Sequence, residues 1–124
     1  MITELQRKTL RHFFAAYFHQ DWRREAETPE QVISMYASDV TDPVTIDTLV
    51  DGIGAFIADH PDEDDLANAL FREMGCYHSP KALGQSTREW LLHVAGSVKR
   101  ERPGVAQRAA EQRAAEQLDE DGES

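Results

Sequence analysis

The sequence predicts an all-α fold, a compact single-domain bundle of about five helices with a C-terminal Ala-rich helical extension. Three observations predict it. Large apolar residues recur at three- and four-residue spacings from Leu5 to Val98. Helix-start signals at Thr28-Pro29, Asp42-Pro43, Asp62 and Ser86 punctuate that pattern. No segment alternates polar and apolar residues as a half-buried strand does.

The elements follow in order. Leu5, Leu10, Phe13, Phe14, Tyr17 and Phe18 share one broad face and predict a first helix over roughly 3–20. Thr28 is a cap and Pro29 an N1 residue, with Gln31 placed to complete a capping box. Val32, Ile33, Tyr36 and Val40 form the buried stripe of this second helix. A third runs over about 43–59, with Ile46, Leu49, Val50, Ile53, Phe56 and Ile57 inward. Gly52 and Gly54 weaken it, and a close helix contact is a reason for them. Pro61 ends it.

Asp62-Glu63-Asp64-Asp65 opens a fourth helix, where carboxylates suit the positive end of the dipole. Its apolar face is Leu66, Leu70, Phe71 and Met74, and Gly75 is the expected stop. Residues 76–85 read as a loop. Ser86-Thr87-Arg88-Glu89 is another capping box, and Trp90, Leu91, Val94 and Val98 point inward from the fifth helix. Trp22, Phe14, Trp90 and Phe71 are the expected core anchors. Pro103-Gly104 marks a domain end, so the helical domain spans 1–102 and a tail spans 103–124. The tail repeats Arg-Ala-Ala-Glu-Gln at 108 and 113 and reads as helical, then frayed over Asp119–Ser124. Val105 and Leu118 are its only sizeable apolar residues, so deleting 105–124 is expected to leave the fold nearly intact.

Composition excludes several functions. The 124 residues carry 13 Lys and Arg against 23 Asp and Glu, a net charge of −10. That opposes nucleic-acid binding and docking on anionic lipid, both of which need a basic surface. The longest apolar runs, Phe13–Phe18 and Ile53–Ala58, are too short to cross a membrane. Met1–Leu5 lacks the apolar core of a leader, and the lone Cys76 excludes an intrachain disulfide, so a cytoplasmic protein is expected.

No cofactor or metal is expected either. His12 and His19 lie two turns apart, Cys76 and His78 lack further ligands, and Asp62–Asp65 lacks the calcium-loop pattern. Cys76 with His78 has no orienting third group and reads as a structural cysteine, and no phosphate-binding glycine loop exists. No catalytic residues are therefore assigned.

The charge is unevenly placed. Residues 25–71 hold twelve acids and no Lys or Arg. Asp39, Asp42, Asp47, Asp51, Asp59, Asp62, Glu63, Asp64 and Asp65 are candidates for an acidic docking face, or else an ordinary solvated surface with Asp42 and Asp62 as caps. The string Tyr17-Phe18-His19-Gln20-Asp21-Trp22 is either a binding pocket or, the stronger expectation, a buried polar corner. In such a corner Asp21 accepts bonds from backbone N–H groups or a nearby Arg.

At that string the chain resembles the small α-helical immunity proteins of bacterial contact-dependent growth inhibition systems. Gly75-Cys76-Tyr77 and Ser86-x-Arg88-Glu89-Trp90-Leu91 complete the resemblance, which covers roughly residues 5–100. It implies an inhibitor rather than an enzyme. The implied partner is the C-terminal domain of a cognate toxin, often a nuclease and therefore basic, which an acidic face of 25–71 suits. The family string, Trp90 included, then builds the scaffold, and specificity resides on the acidic surface. The rival from another class is a small acidic regulatory or scaffolding module.

Overall fold

The structure, a computed structural model, describes residues 1–122, with side-chain exposure given through Ala115. Six α-helices and one 3₁₀ turn make up the fold: α1 (Glu4–Tyr17), α2 (Trp22–Glu25), α3 (Pro29–Asp39), α4 (Pro43–Asp59), α5 (Glu63–Arg72), the turn Pro80–Leu83, and α6 (Thr87–Gly122). The all-α expectation holds, with no strand among the described residues. The short α2 is additional to the five helices read from the sequence.

Apart from the four-residue α2, each α-helix starts where a side chain satisfies some of its first N–H groups. Thr3 and Gln6 form a full capping box on α1. Thr28 accepts from the Gln31 N–H, but the Gln31 side chain closes on the Glu27 N–H rather than on Thr28. Asp42 caps α4 through the Val44 N–H and Asp62 caps α5 through the Asp65 N–H. After α5, Gly75 takes a positive φ of 70° and turns the chain away, as a stop residue must.

α6 is the spine of the bundle: α4 and α3 pack along it, α5 touches it, and α1 lies on α4. The core is continuous, from Leu10, Phe13, Phe14 and Phe18 of the first segment to Leu91, Val94 and Val98 of α6. Gly52 is where α1 and α4 close: a Cβ there would stand 2.6 Å from Leu10 Cδ1. Gly54 has open space and no such role.

Three expectations about burial change. Leu5 lies outside the core. Phe71 is 51% exposed, because the inward face of α5 is already made by Leu66, Ala69 and Leu70, and Phe71 falls about 100° around the helix from Leu70. The tail is also more than an appendage. α6 does not stop at Pro103 but runs through it, and Val105 is 1% exposed. Arg102 grips Asp47 through two hydrogen bonds of 2.7 and 3.1 Å, and Arg108 donates to the carbonyls of Ala37 and Ser38 at the open end of α3. Proline removes one helical hydrogen bond and crowds the preceding turn, and these anchors on either side hold the helix through it. The helix continues to Gly122; Glu123 and Ser124 lie outside the described residues.

Truncation separates the two parts of the tail. Ending the chain after Gly104 removes the Val105 burial and the Arg108 cap and should cost about 2–4 kcal/mol. Ending it after Arg113 should leave the denaturant midpoint nearly unchanged. Equal midpoints for the two truncations would show that Val105 and Arg108 contribute nothing.

Candidate functional site

The nine candidate carboxylates fall at three places, and most are already engaged within the chain. Asp39 and Asp42 flank the α3–α4 turn, where Asp39 accepts the Tyr17 hydroxyl at 2.6 Å and Asp42 caps α4. Asp47 and Asp51 lie one turn apart on α4, and Asp59 ends it. Asp47 holds Arg102, while Asp59 accepts the Ile2 N–H at 2.9 Å and faces the N-terminal amino group.

The third group is the α5 start. Asp62 caps its own helix, but Glu63 reaches across to α6 and accepts the N–H groups of Thr87 and Arg88 at 3.0 and 3.3 Å. With Ser86 accepting from Glu89, this satisfies the first turn of α6, so the sequence-read Ser86 box is completed from another helix. Asp64 binds Lys81 at 2.7 Å. Among the described residues, only Asp51 and Asp65 of the nine have no side-chain hydrogen bond or ion pair.

These engagements move the acids' titration. The Arg102 hydrogen bond first, and its charge after, hold Asp47 below the usual carboxylate range. Asp59 is lowered chiefly by the Ile2 N–H and Asp64 by Lys81. At Glu63 desolvation pushes upward, but the Thr87 and Arg88 donors and Lys81 outweigh it and the net shift is down. Tyr17 moves the other way, raised to about 12 by burial and by its bond to Asp39.

The string Tyr17–Trp22 is a turn between α1 and α2, not a pocket. Phe18 and Trp22 are buried, and His19 Nδ1 accepts the Asp21 N–H at 3.1 Å. Asp21 and Gln20 face outward. The Asp21 carboxylate meets only Arg24, at 4.0 Å, so the expected buried polar corner is instead an aromatic one. The rings of Phe18 and Trp90 meet edge to face at 5.3 Å, and His78 lies 4.7 Å from Trp90 and 5.5 Å from Trp22. Burial first, and the Arg23 charge after it, hold the His78 imidazole below its usual pKa. Cys76 is buried and its thiol is pushed up to about 12, which leaves no thiolate for catalysis near neutral pH.

Sequence reasoning passed over one surface feature. From Cys76 to Pro80 the side chains alternate inward and outward, so Cys76, His78 and Pro80 are buried while Tyr77 is 50% exposed. The Tyr77 N–H donates to the Phe18 carbonyl at 2.8 Å, which fixes the loop against the end of α1. Tyr77 then meets Phe71 edge to face at 5.2 Å on the surface. Beside the pair lies a cleft of about 270 Å³ lined by Ala67, Leu70, Cys76, His78, Pro80 and Lys81.

A family model described as CdiI immunity protein matches residues 6–98. No curated protein and no solved structure matches the chain. No helix among the described residues is long and apolar enough to cross a membrane.

Acid should weaken the fold with a definite sign. The carboxyls of Asp47, Asp59, Glu63 and Asp64 titrate lower in the folded chain than their ordinary values of 3.8 and 4.5. Their stabilisation is therefore present above those values and lost as pH falls through the lower folded ones. Glu63→Ala should remove part of this dependence and cost about 1 kcal/mol at pH 7, as loss of a helix cap does. Asp51→Ala and Asp65→Ala should stay within about 0.5 kcal/mol of the parent in urea denaturation. A Glu63→Ala protein as stable as the parent would remove the cross-helix cap from the interactions that hold α6.

Proposed function

We propose that this chain, which belongs to the CdiI immunity protein family, neutralises the toxin of a contact-dependent growth inhibition system by forming a stoichiometric complex with its C-terminal domain in the cytoplasm. The inhibitor acts by occupancy rather than by turning over a substrate. The toxin domain it meets is basic, and a nuclease is the chemistry that best explains why. A nuclease must hold phosphates, so the surface around its active site is cationic. The immunity protein meets that surface with carboxylates.

The observation that carries this reading is the base-free run of twelve acids over 25–71. Besides histidines, the cationic groups within 4 Å of those carboxylates among the described residues are Arg102, Lys81 and the N-terminal amino group. The segment therefore stays strongly negative after folding. Such a field accelerates encounter with a basic partner and orients it, toward an upper limit of about 10⁸–10⁹ M⁻¹s⁻¹. Fast capture is what an inhibitor needs when a few toxin molecules can damage a cell's nucleic acid.

The internal duties of the acids decide which of them can report on binding. Reversing Asp62 or Glu63 would break a helix cap, and reversing Asp47 would release Arg102. Asp51 and Asp65 have no side-chain partner among the described residues to lose, and a Lys at 65 meets only the positive end of the α5 dipole, a cost of about 0.3–1 kcal/mol. The double variant Asp51→Lys and Asp65→Lys should slow association with the cognate toxin domain about tenfold at low salt, with little change in dissociation. Raising ionic strength should shrink the difference, because exposed charges are screened over about 8–10 Å. Association rates that ignore both the reversal and the salt would exclude electrostatic capture.

A further inference from the structure

We infer that the Phe71–Tyr77 pair and the cleft beside it form the anchor of the toxin interface, accepting an apolar or aromatic side chain from a basic surface of the toxin domain. The inference rests on the immunity reading above and adds the place of contact. Two large aromatic side chains are each about half exposed and stack edge to face at 5.2 Å, in a bundle whose other anchor rings, Phe14, Trp22 and Trp90, are buried. Scattered exposed apolar residues need no explanation, but a paired aromatic patch beside a concave surface is the usual composition of an interface hot spot.

The pair is held rigidly without being part of the core. Phe71 stands on α5, whose inward face is complete without it, and Tyr77 is carried by a backbone hydrogen bond to Phe18. A partner side chain entering the cleft meets Ala67, Leu70 and Pro80, and the aromatic pair forms its rim. His78 also lines the cleft, and its buried Nδ1 has no hydrogen-bond partner among the described residues. A buried nitrogen left unpaired costs folding free energy rather than contributing to it.

Charge complementarity identifies the occupant. Asp64, Ala67 and Phe71 lie along one face of α5, and seven residues of helix set Asp64 about 10 Å from Phe71. The Asp64 side chain is 83% exposed and holds Lys81, which also lines the cleft, at 2.7 Å, while Asp65 lies about 100° around the helix from Asp64. One helix face thus offers an aromatic anchor at one end and, at the other, one largely exposed carboxylate shared with Lys81. The matching ligand is a protein surface with an apolar side chain and, about 10 Å away, a Lys or Arg. Anchor and acids have separate kinetic roles: the acids set the rate of arrival, and the aromatic pair sets the residence time.

The test uses the full chain and its cognate toxin domain. Phe71→Ala and Tyr77→Ala should each weaken the complex at least about 30-fold, almost entirely through faster dissociation. Melting temperatures should stay close to the parent's, since neither side chain is in the core. Footprinting of the unaltered complex gives a second measurement that needs no variant, and Phe71 and Tyr77 should be protected in it. Full-strength binding by both variants, or an aromatic pair left unprotected in the complex, would overturn the anchor and leave the immunity reading standing. Failure of the unaltered chain to bind the domain would overturn the immunity reading itself. Sedimentation showing a homodimer that Tyr77→Ala dissociates would assign the patch to self-association instead.

Discussion

The packing of Trp90 against the end of α1 fixes most of what the molecule presents to a partner. Trp90 opens α6, and Phe14, Phe18 and His78 surround it at ring distances of 4.7–6.1 Å. Trp22 closes the cluster from α2. Four chain segments therefore meet at one aromatic junction. Because His78 points into it and Cys76 is buried on the same side of the loop, Tyr77 between them points out, beside Phe71. Loss of ring volume at Trp90 would disturb the core, the loop and the surface pair together.

The acidic segment serves two ends with one set of residues. Asp42, Asp62 and Glu63 satisfy helix N–H groups, and Asp47 and Asp64 hold a cation from a distant part of the chain. A capping carboxylate keeps its charge, so these local roles preserve the negative field on which the proposed capture depends. Individual acids differ sharply as probes for the same reason. Asp51 and Asp65 have no internal side-chain partner among the described residues and report chiefly on the field, while Glu63 reports on the fold as well.

Local signals made much of this fold legible in the sequence. The starts of α3, α4 and α5 were marked by Thr28, Asp42 and Asp62, whose side chains bond to N–H groups two or three residues away. The inward faces of α4 and α6 followed from periodicity. What escaped depends on residues far apart in the chain. Pro103 reads locally as a stop, but Arg102–Asp47 and Arg108–Ala37 contacts carry α6 through it. Glu63 reads as a first-turn acid of its own helix, and its bond to the Thr87 N–H crosses 24 residues. Phe71 completes an apolar pattern on paper, yet it lies about 100° from Leu70 on a short helix whose inner face is full. The nine acidic candidates were legible as a charged run, but not the division between acids with internal partners and the two without.

The proposed action of this chain is inhibition by complex formation. Titrating a fixed amount of the cognate toxin domain with the chain, and following toxin activity with the mass of the species present, tests that claim most directly. A linear fall in activity that reaches zero at one chain per toxin domain, with a single one-to-one complex, is the predicted result. Inhibition at far below one equivalent that grows with time, or full toxin activity in the presence of excess chain, would contradict it.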